Sequence, residues 1–397
     1  MKNTALGRII ICLILLAPAG LIWRAPVARG ESGLAVSPYT QFEETYTDNF
    51  FRSKKNKTKA VVSRISPGLK VNIEEDDARL DLDYKASLFL HSDPGGNEDK
   101  FKYWKQDYVG HNLNFYTVGA MGEHFNLGLE DQYYFTRDAA SSDRFSLSLD
   151  RYKYGVNRVS PFATWDLAES GTVKLAYRNE VIEYLTGPDG NNSQEHRGLM
   201  TLTYHFNDQN HLDCENQYWR RKYDGTSSEY TSYQIMGLFR HNLNEYFTLH
   251  IGGGYHWRNY LRSDLKNWSG AAARAGLTGE TDLTKVYINF EHNINDYGQG
   301  NSYYVSSQAT GFVERVFFDA FPVRVGGFYQ FSDFRQSKRK DTLWEVSGGL
   351  GYLFLHDRVK LMAQGSHTER ASNSEGRDYV ENKASLSLSI DFGQAEK

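Results

Sequence analysis

The sequence predicts an all-β fold: a transmembrane, antiparallel, up-and-down β-barrel of about 18 strands behind an N-terminal export signal. Three observations predict it: a two-residue alternation of apolar and polar side chains, turn signals at regular intervals, and a chain that is aromatic-rich yet hydrophilic. Aromatic residues make up 14% of the 397 residues, with 27 Tyr, 23 Phe and 7 Trp, while the mean hydropathy is −0.60. A helical membrane protein would be strongly positive on that scale, and a water-soluble protein has little need for so many aromatic rings. A membrane barrel accommodates both, because only alternate residues meet lipid and aromatic girdles mark the two interfaces.

The alternation is clearest at the C-terminal end. In Ala384–Phe392, Ala384, Leu386, Leu388, Ile390 and Phe392 share one face, and Ser385, Ser387, Ser389 and Asp391 fill the other. Successive side chains of a strand point to opposite sides, so one face is greasy and the other polar. A terminal strand of this kind suits a closing seam with the first strand, near Val36–Tyr46, which removes both free edges.

The first 30 residues have the form of a secretory signal peptide. Lys2 and Arg8 precede the apolar run Ile9–Ala17, and Ala28-Arg29-Gly30 offers small residues at a cleavage site, so the mature chain is expected to start at Glu31. An uncleaved anchor helix reaching Trp23 is the alternative. Ile10 and Ile11 before Cys12 exclude a lipoprotein context. Loss of residues 1–30 takes the charge to 41 − 49 = −8, which argues against a nucleic-acid partner. Cys214 is then the sole thiol and no intramolecular disulfide can form.

Residues 31–397 read as one barrel. Val61–Ile73 alternates, with Arg64 and Lys70 on its polar face. After the acidic turn Glu74–Asp77, Leu80, Leu82, Tyr84, Ala86, Leu88 and Leu90 share one face, opposite Arg79, Asp81, Asp83, Lys85 and Ser87. Further turns are expected near Gly122, Glu169, Asp208, Asn244, Glu280, Asp319 and Asp357, roughly 35–47 residues apart, the length of two strands and a loop. Longer polar segments lie between them: His91–Asp107, Arg137–Arg151, Thr186–Glu195 and Ala371–Asp378. Short turns at one end and long loops at the other is the asymmetry of an outer-membrane barrel. Thr231–Arg240 and the Ala-rich Gly270–Leu277 alternate weakly, which leaves 16 strands as the alternative. A propeller would need four strands per interval and a blade signature, and neither is present. Only Glu31–Ala35 would precede the first strand, so no N-terminal plug is expected. A barrel of 16–18 strands is wide enough for an aqueous lumen.

The opening segment, Ser37-Pro38-Tyr39 through Glu44-Thr45-Tyr46-Thr47-Asp48-Asn49-Phe50-Phe51, resembles the start of outer-membrane porins of the beta-barrel porin 2 type. The hairpin rhythm extends that likeness over nearly the whole mature chain. The resemblance implies residence in the outer membrane of a Gram-negative bacterium, in contact with lipid and lipopolysaccharide, after insertion by the barrel assembly machinery. It also implies an association with exopolysaccharide or capsule export through periplasmic partners. Phe392 is followed by Gly-Gln-Ala-Glu-Lys, so an assembly signal would be read internally rather than at the last residue.

No motif announces chemistry, and neither a cofactor nor a metal is expected. The 12 His are scattered without His-Glu-x-x-His, and no Gly-x-Ser-x-Gly occurs. Gly252-Gly253-Gly254 and Gly348-Gly349-Leu350-Gly351 sit inside strands, where they let bulky neighbours pack rather than cradle phosphate. His292 and His367, on apolar faces near strand ends, are the only hint of a lipid-acting barrel enzyme, and interfacial His is the plainer reading. The acidic segment Asp93–Asp99 could bridge to lipopolysaccharide through a divalent cation, or be a solvated loop. The expected functional surface is the lumen. Its candidate lining is Arg64, Lys70, Arg79, Asp81, Asp83, Lys85, Lys174, Arg178, Glu180, Arg258, Arg274, Arg324, Glu345 and Lys360, together with Glu291. Mixed signs argue against a strongly ion-selective ring. Tyr133–Phe135, Phe317–Phe318 and Tyr352–Phe354 are expected in the interfacial girdles. Three function classes follow: a saccharide or exopolysaccharide channel, a general diffusion porin, and a lipid-acting enzyme or plugged surface-binding barrel.

The face assignment predicts that Leu82→Arg, placed against lipid, destabilises the assembled barrel by about 2–4 kcal/mol, while Asp83→Asn is tolerated. Equal effects in a refolding titration of the two variants would contradict it.

Overall fold

Because lipid offers no hydrogen-bond partner, alternating segments can cross a membrane only if every backbone group is paired, and that requires the sheet to close. The computed structural model meets the requirement. It describes residues 33–94, 103–137, 152–167, 170–186, 192–224, 229–261, 265–297, 302–355 and 357–393. The signal-peptide reading and the Asp93–Asp99 loop therefore lie wholly or mostly outside the described residues.

Eighteen strands form one antiparallel sheet. In chain order they are β1 (Gly33–Thr47), β2 (Ala60–Glu75), β3 (Ala78–Ser92), β4 (Tyr108–Ala120), β5 (Phe125–Thr136), β6 (Tyr154–Asp166), β7 (Gly171–Tyr184), β8 (Ser193–His205) and β9 (Asn210–Tyr223). The second half comprises β10 (Tyr230–Asn242), β11 (Phe247–Tyr260), β12 (Trp268–Glu280), β13 (Thr284–Tyr297), β14 (Ser302–Phe317), β15 (Phe321–Phe334), β16 (Arg339–Phe354), β17 (Val359–Ser372) and β18 (Tyr379–Asp391). The count is 18, not 16. The weakly alternating stretches are the regular strands β10 and β12. The first and last strands run slightly further than expected, and Phe392 lies just past β18. Its N–H still donates to the Pro38 carbonyl at 2.9 Å, so it extends the seam. Seven of the expected turns occur at one end, the eighth, near Glu169, lies outside the described residues, and the left-handed conformations of Asp319 (φ 54°) and Asp357 (φ 66°) mark two of the seven.

Each strand pairs with its chain neighbours, and β1 pairs with β18 from Tyr39↔Asp391 to Thr47↔Lys383. Carrying the register round the eighteen ladders displaces it by about 22 residues. With strands about 4.8 Å apart and a rise of about 3.3 Å, that stagger tilts the strands by about 40° and sets a backbone radius of about 18 Å.

The seam is held at the long-loop end by the segment after β1. Asp48 accepts from the backbone N–H of Asn382 (2.8 Å) and from its side chain (2.7 Å). Burial pushes the Asp48 carboxyl up, but these bonds outweigh it and hold the group below its usual range. Asn49 donates to the carbonyls of Ser53 and Val380, each at 2.8 Å, and accepts from Ser53 N–H at 2.9 Å. Thr47 and Arg52 both reach the fully buried Glu381 of β18. Lys54 meets Asp378 at 2.6 Å and its hydrogen bond lowers that carboxyl. Phe50 is buried with Ala60 and Tyr103. The Asp48-Asn49-Phe50 run that carried the opening resemblance is thus a clasp between the first and last strands.

Asn49→Ala leaves the carbonyls of Ser53 and Val380 and the N–H of Ser53 without this partner and is expected to cost about 1–3 kcal/mol. Loss of the heat-resistant, fast-migrating folded form at lower temperature would show it, and an unchanged transition would contradict the clasp.

Candidate functional site

Register decides which side each residue faces, because directly paired residues lie on one face. One face carries Leu127, Leu175, Leu202, Ile251, Val325, Val346, Leu350 and Leu386, all exposed. The other carries side chains that meet across intervening strands, as Tyr39 of β1 does with Asp83 of β3 at 2.7 Å. Such chords span only the concave side of a closed sheet, which makes the second face the interior.

All fourteen candidate residues stand on the interior face, as does Glu291, but they gather in separate patches rather than one ring. On β2 and β3, Arg64 pairs with Glu43 (2.6 Å), Arg79 with Asp81 (2.7 Å), and Lys70 lies over the Tyr39 ring (5.4 Å). Asp83 accepts from Tyr39, and Lys85 lies one β3 interior position further, level with Gly68. On the other side of the seam, Lys360 and Arg324 share Glu314 at 3.0 and 3.6 Å, Arg324 stacks on Phe312, and Glu345 accepts from Thr368 at 2.9 Å. Lys174 reaches Glu130 at 3.4 Å and Arg274 reaches Glu215 at 3.3 Å. Cation and carboxylate alternate across strands, so the wall is strongly polar with little net sign. A cavity of about 530 Å³ beside the seam shows the character of the space, with Glu43, Arg64, Arg324, Glu345, Glu381 and Lys383 in its lining.

The densest patch lies at the long-loop end of β6–β11. Glu180 binds Arg158 and Arg221; Glu195 binds Arg221 (2.9 Å), Arg197 (2.8 Å) and Arg178 (3.7 Å). Arg258 pairs with Asp296 and stacks on Tyr230, whose hydroxyl also donates to Asp296. Arg221 comes within 3.6 Å of the same carboxylate. Arg158, Arg178, Arg197, Arg221 and Arg258 against Glu180, Glu195 and Asp296 leave an excess of 5 − 3 = +2. Burying this many charges is costly unless they are paired, and pairing is what the network supplies.

Of this patch, only Arg178, Glu180 and Arg258 were expected from alternation. Arg158, Glu195, Arg197 and Arg221 had a readable signal, since each continues the polar parity of its strand. Asp296 had none. On parity it belongs with His292, which faces outward. The β12–β13 ladder stops at Ala273↔His292, although β13 continues to Tyr297 paired with β14. Beyond that point the β13–β14 end turns inward: Asn293 meets His256 of β11 at 2.8 Å, Asp296 reaches β9, β10 and β11, and Ile294, Tyr303 and Val305 are buried. The inturned hairpin end narrows the lumen, and Asp296 latches it to the neighbouring strands β9, β10 and β11.

On the outer surface, His292 Nδ1 meets Ser307 Oγ at 2.7 Å and His367 Nδ1 meets Asn382 Oδ1 at 2.6 Å. The bond to Ser307 is the Ser–His meeting that the enzyme reading needs, but a nucleophile also needs a third group to orient the base. His367 instead packs on Trp344 at 5.1 Å, as interfacial side chains do. No cluster of three or more metal-ligating side chains exists among the described residues. Gly254 shows why glycines interrupt β11: a Cβ there would lie 1.9 Å from the Ile235 carbonyl oxygen and 2.7 Å from Met236 Cγ, so the neighbouring strand approaches too closely for any side chain.

Asp296→Asn removes the charge that two arginines share. We expect larger single-channel conductance or frequent openings to a larger state, and an unchanged current trace would contradict the latch.

Similar architectures are known. Pseudomonas aeruginosa OccK2 (OpdF) superposes with a TM-score of 0.50 at 9% identity, over 91% of this chain and 98% of that one. The same protein in complex with glucuronate gives 0.50 at 10%, over 90% and 98%. Acinetobacter baumannii OccAB2 gives 0.49 at 11%, over 91% and 98%. At these identities the likeness is one of fold. No curated protein matches the sequence. Residues 215–392 match the family model described as Putative beta-barrel porin 2. The match falls on the second half of the barrel and does not include Ser37–Phe51, so over residues 215–392 the chain is similar to this family.

Proposed function

We propose that this protein is an outer-membrane channel that passes hydrophilic solutes by diffusion, saccharides first among them, without chemistry. The observation that carries the proposal is the division of one closed sheet into an apolar exterior and an interior of alternating cations, carboxylates and amides. Such a wall solvates a polar solute of either sign or none, whereas a ring of one charge would select ions. Inward aromatic rings such as Tyr39, Trp219 and Phe312 add stacking surfaces that suit sugar rings. Its surroundings under this proposal are outer-membrane lipid and lipopolysaccharide, reached through the barrel assembly machinery. The family resemblance adds a narrower form, in which periplasmic export proteins feed exopolysaccharide to the barrel. Loss of secreted polymer on deletion would favour that form, and unchanged secretion would leave the general channel.

The test is conductance of the refolded mature chain in planar bilayers. Stepwise, ohmic currents with weak cation–anion discrimination are expected. A properly folded barrel that inserts and carries no current would be a plugged barrel and would contradict the proposal.

A further inference from the structure

The least explained polar groups of the lumen are a register pair. Gln234 of β10 stands directly opposite His256 of β11, both on the interior face, with relative exposures of 4% and 1%. Gln234 Nε2 and His256 Nε2 are buried and make no hydrogen bond. The two orphans are of opposite kind. Asn293 Oδ1 accepts from Ile294 N–H at 2.9 Å, which fixes the amide orientation, so His256 Nδ1 must donate to it at 2.8 Å. His256 Nε2 then carries a free lone pair, and Gln234, its register partner, a free N–H. Buried groups of this sort call for an occupant that satisfies them.

Their frame narrows the chemistry. Trp219 and Trp268 flank His256 with ring centroids at 4.9 and 5.6 Å. Trp268 folds back over Gly270, the residue opposite His256, where any Cβ would lie 2.5 Å from its ring. Arg197 stacks on Trp219 at 4.1 Å, its charge spent on Glu195. A hydroxyl donates one hydrogen bond and accepts others, so a single one would serve both orphans. Indole faces take the apolar C–H side of a sugar ring. The orphans themselves ask for a neutral partner, one lone pair and one N–H, while Arg197 and Arg258 beside them each already hold a carboxylate.

We propose that Gln234, His256, Trp219 and Trp268 form a binding station for one neutral pyranose-type ring of a passing solute. One ring hydroxyl donates to His256 Nε2 and accepts from Gln234 Nε2. Asn293 and the inturned end of β13 cover the station, so it fills when the Asp296 latch lets that end swing away. The proposal rests on the channel reading and supplies the selectivity that an evenly charged wall lacks.

The experiment is sugar-induced current noise and block in bilayers containing the full mature protein, titrated with sucrose, with glucuronate, and with mannitol as an acyclic control. In wild type, block by sucrose should saturate, and block by mannitol should rise linearly. Gln234→Leu, His256→Phe and Trp268→Ala should each weaken saturable block at least tenfold, in variants that keep the heat-modifiable folded form. Asn112→Ala, on the opposite wall, should leave it unchanged. Asp296→Asn should speed sugar entry, an effect that a purely structural His256–Asn293 contact would not produce. Conducting channels whose sucrose block never saturates, or whose block survives all three substitutions, overturn the station and leave the channel standing. Preference for glucuronate over sucrose would overturn the neutral-ring assignment. A folded barrel without current would instead remove the channel reading itself.

Discussion

Closure of the sheet is the constraint on which everything else rests. A strand in lipid cannot leave its N–H and C=O groups unpaired. Seventeen of the ladders join strands that are neighbours in sequence, and local hairpins can form them. The eighteenth, β1 to β18, joins opposite ends of the chain and has no connecting turn. It is the place where the barrel would open, and it is where a segment is given to fastening it. Asp48, Asn49, Arg52 and Lys54 all reach β18 or the residues just before it, so a chain that is cut in sequence behaves as a continuous wall.

Closure then sorts the side chains. Once the sheet curves with a radius of about 18 Å, the interior face is concave and long side chains from non-adjacent strands meet. That geometry explains why charged residues pair along chords, as Lys360 of β17 does with Glu314 of β14 and Arg274 of β12 with Glu215 of β9, and why no single ring of one sign forms. Interior charge of this kind is compatible with a wet lumen, because water screens what the pairs leave over. It is least solvated where the β13–β14 end folds in, and there the pairing is most complete.

Faces, turns and strand number were legible in the sequence because they depend on a period of two and on local turn chemistry. Leu82 outward and Asp83 inward follow from counting alone. What was not legible depends on which strands meet at a distance. Asp48 and Asn49 looked like a family signature, and only the β18 register shows them to be a clasp. Asp296 has the parity of an outward residue and ends up facing inward, since the β12–β13 ladder stops early. The orphaned pair Gln234 and His256 sits on ordinary interior positions, and nothing in the linear pattern marks it before Trp219, Trp268 and Asn293 close around it.

The most direct measurement is a cysteine scan along β3 in a Cys214→Ser background, with the barrel in lipid vesicles and a charged, membrane-impermeant thiol reagent. Reaction at Asp81, Asp83 and Lys85 positions with protection at Leu80, Leu82, Tyr84 and Ala86 is the predicted result, because water borders the first set and acyl chains the second. Uniform protection would mean a dry interior, and uniform reaction would mean a sheet with water on both sides; either contradicts a closed, water-filled barrel.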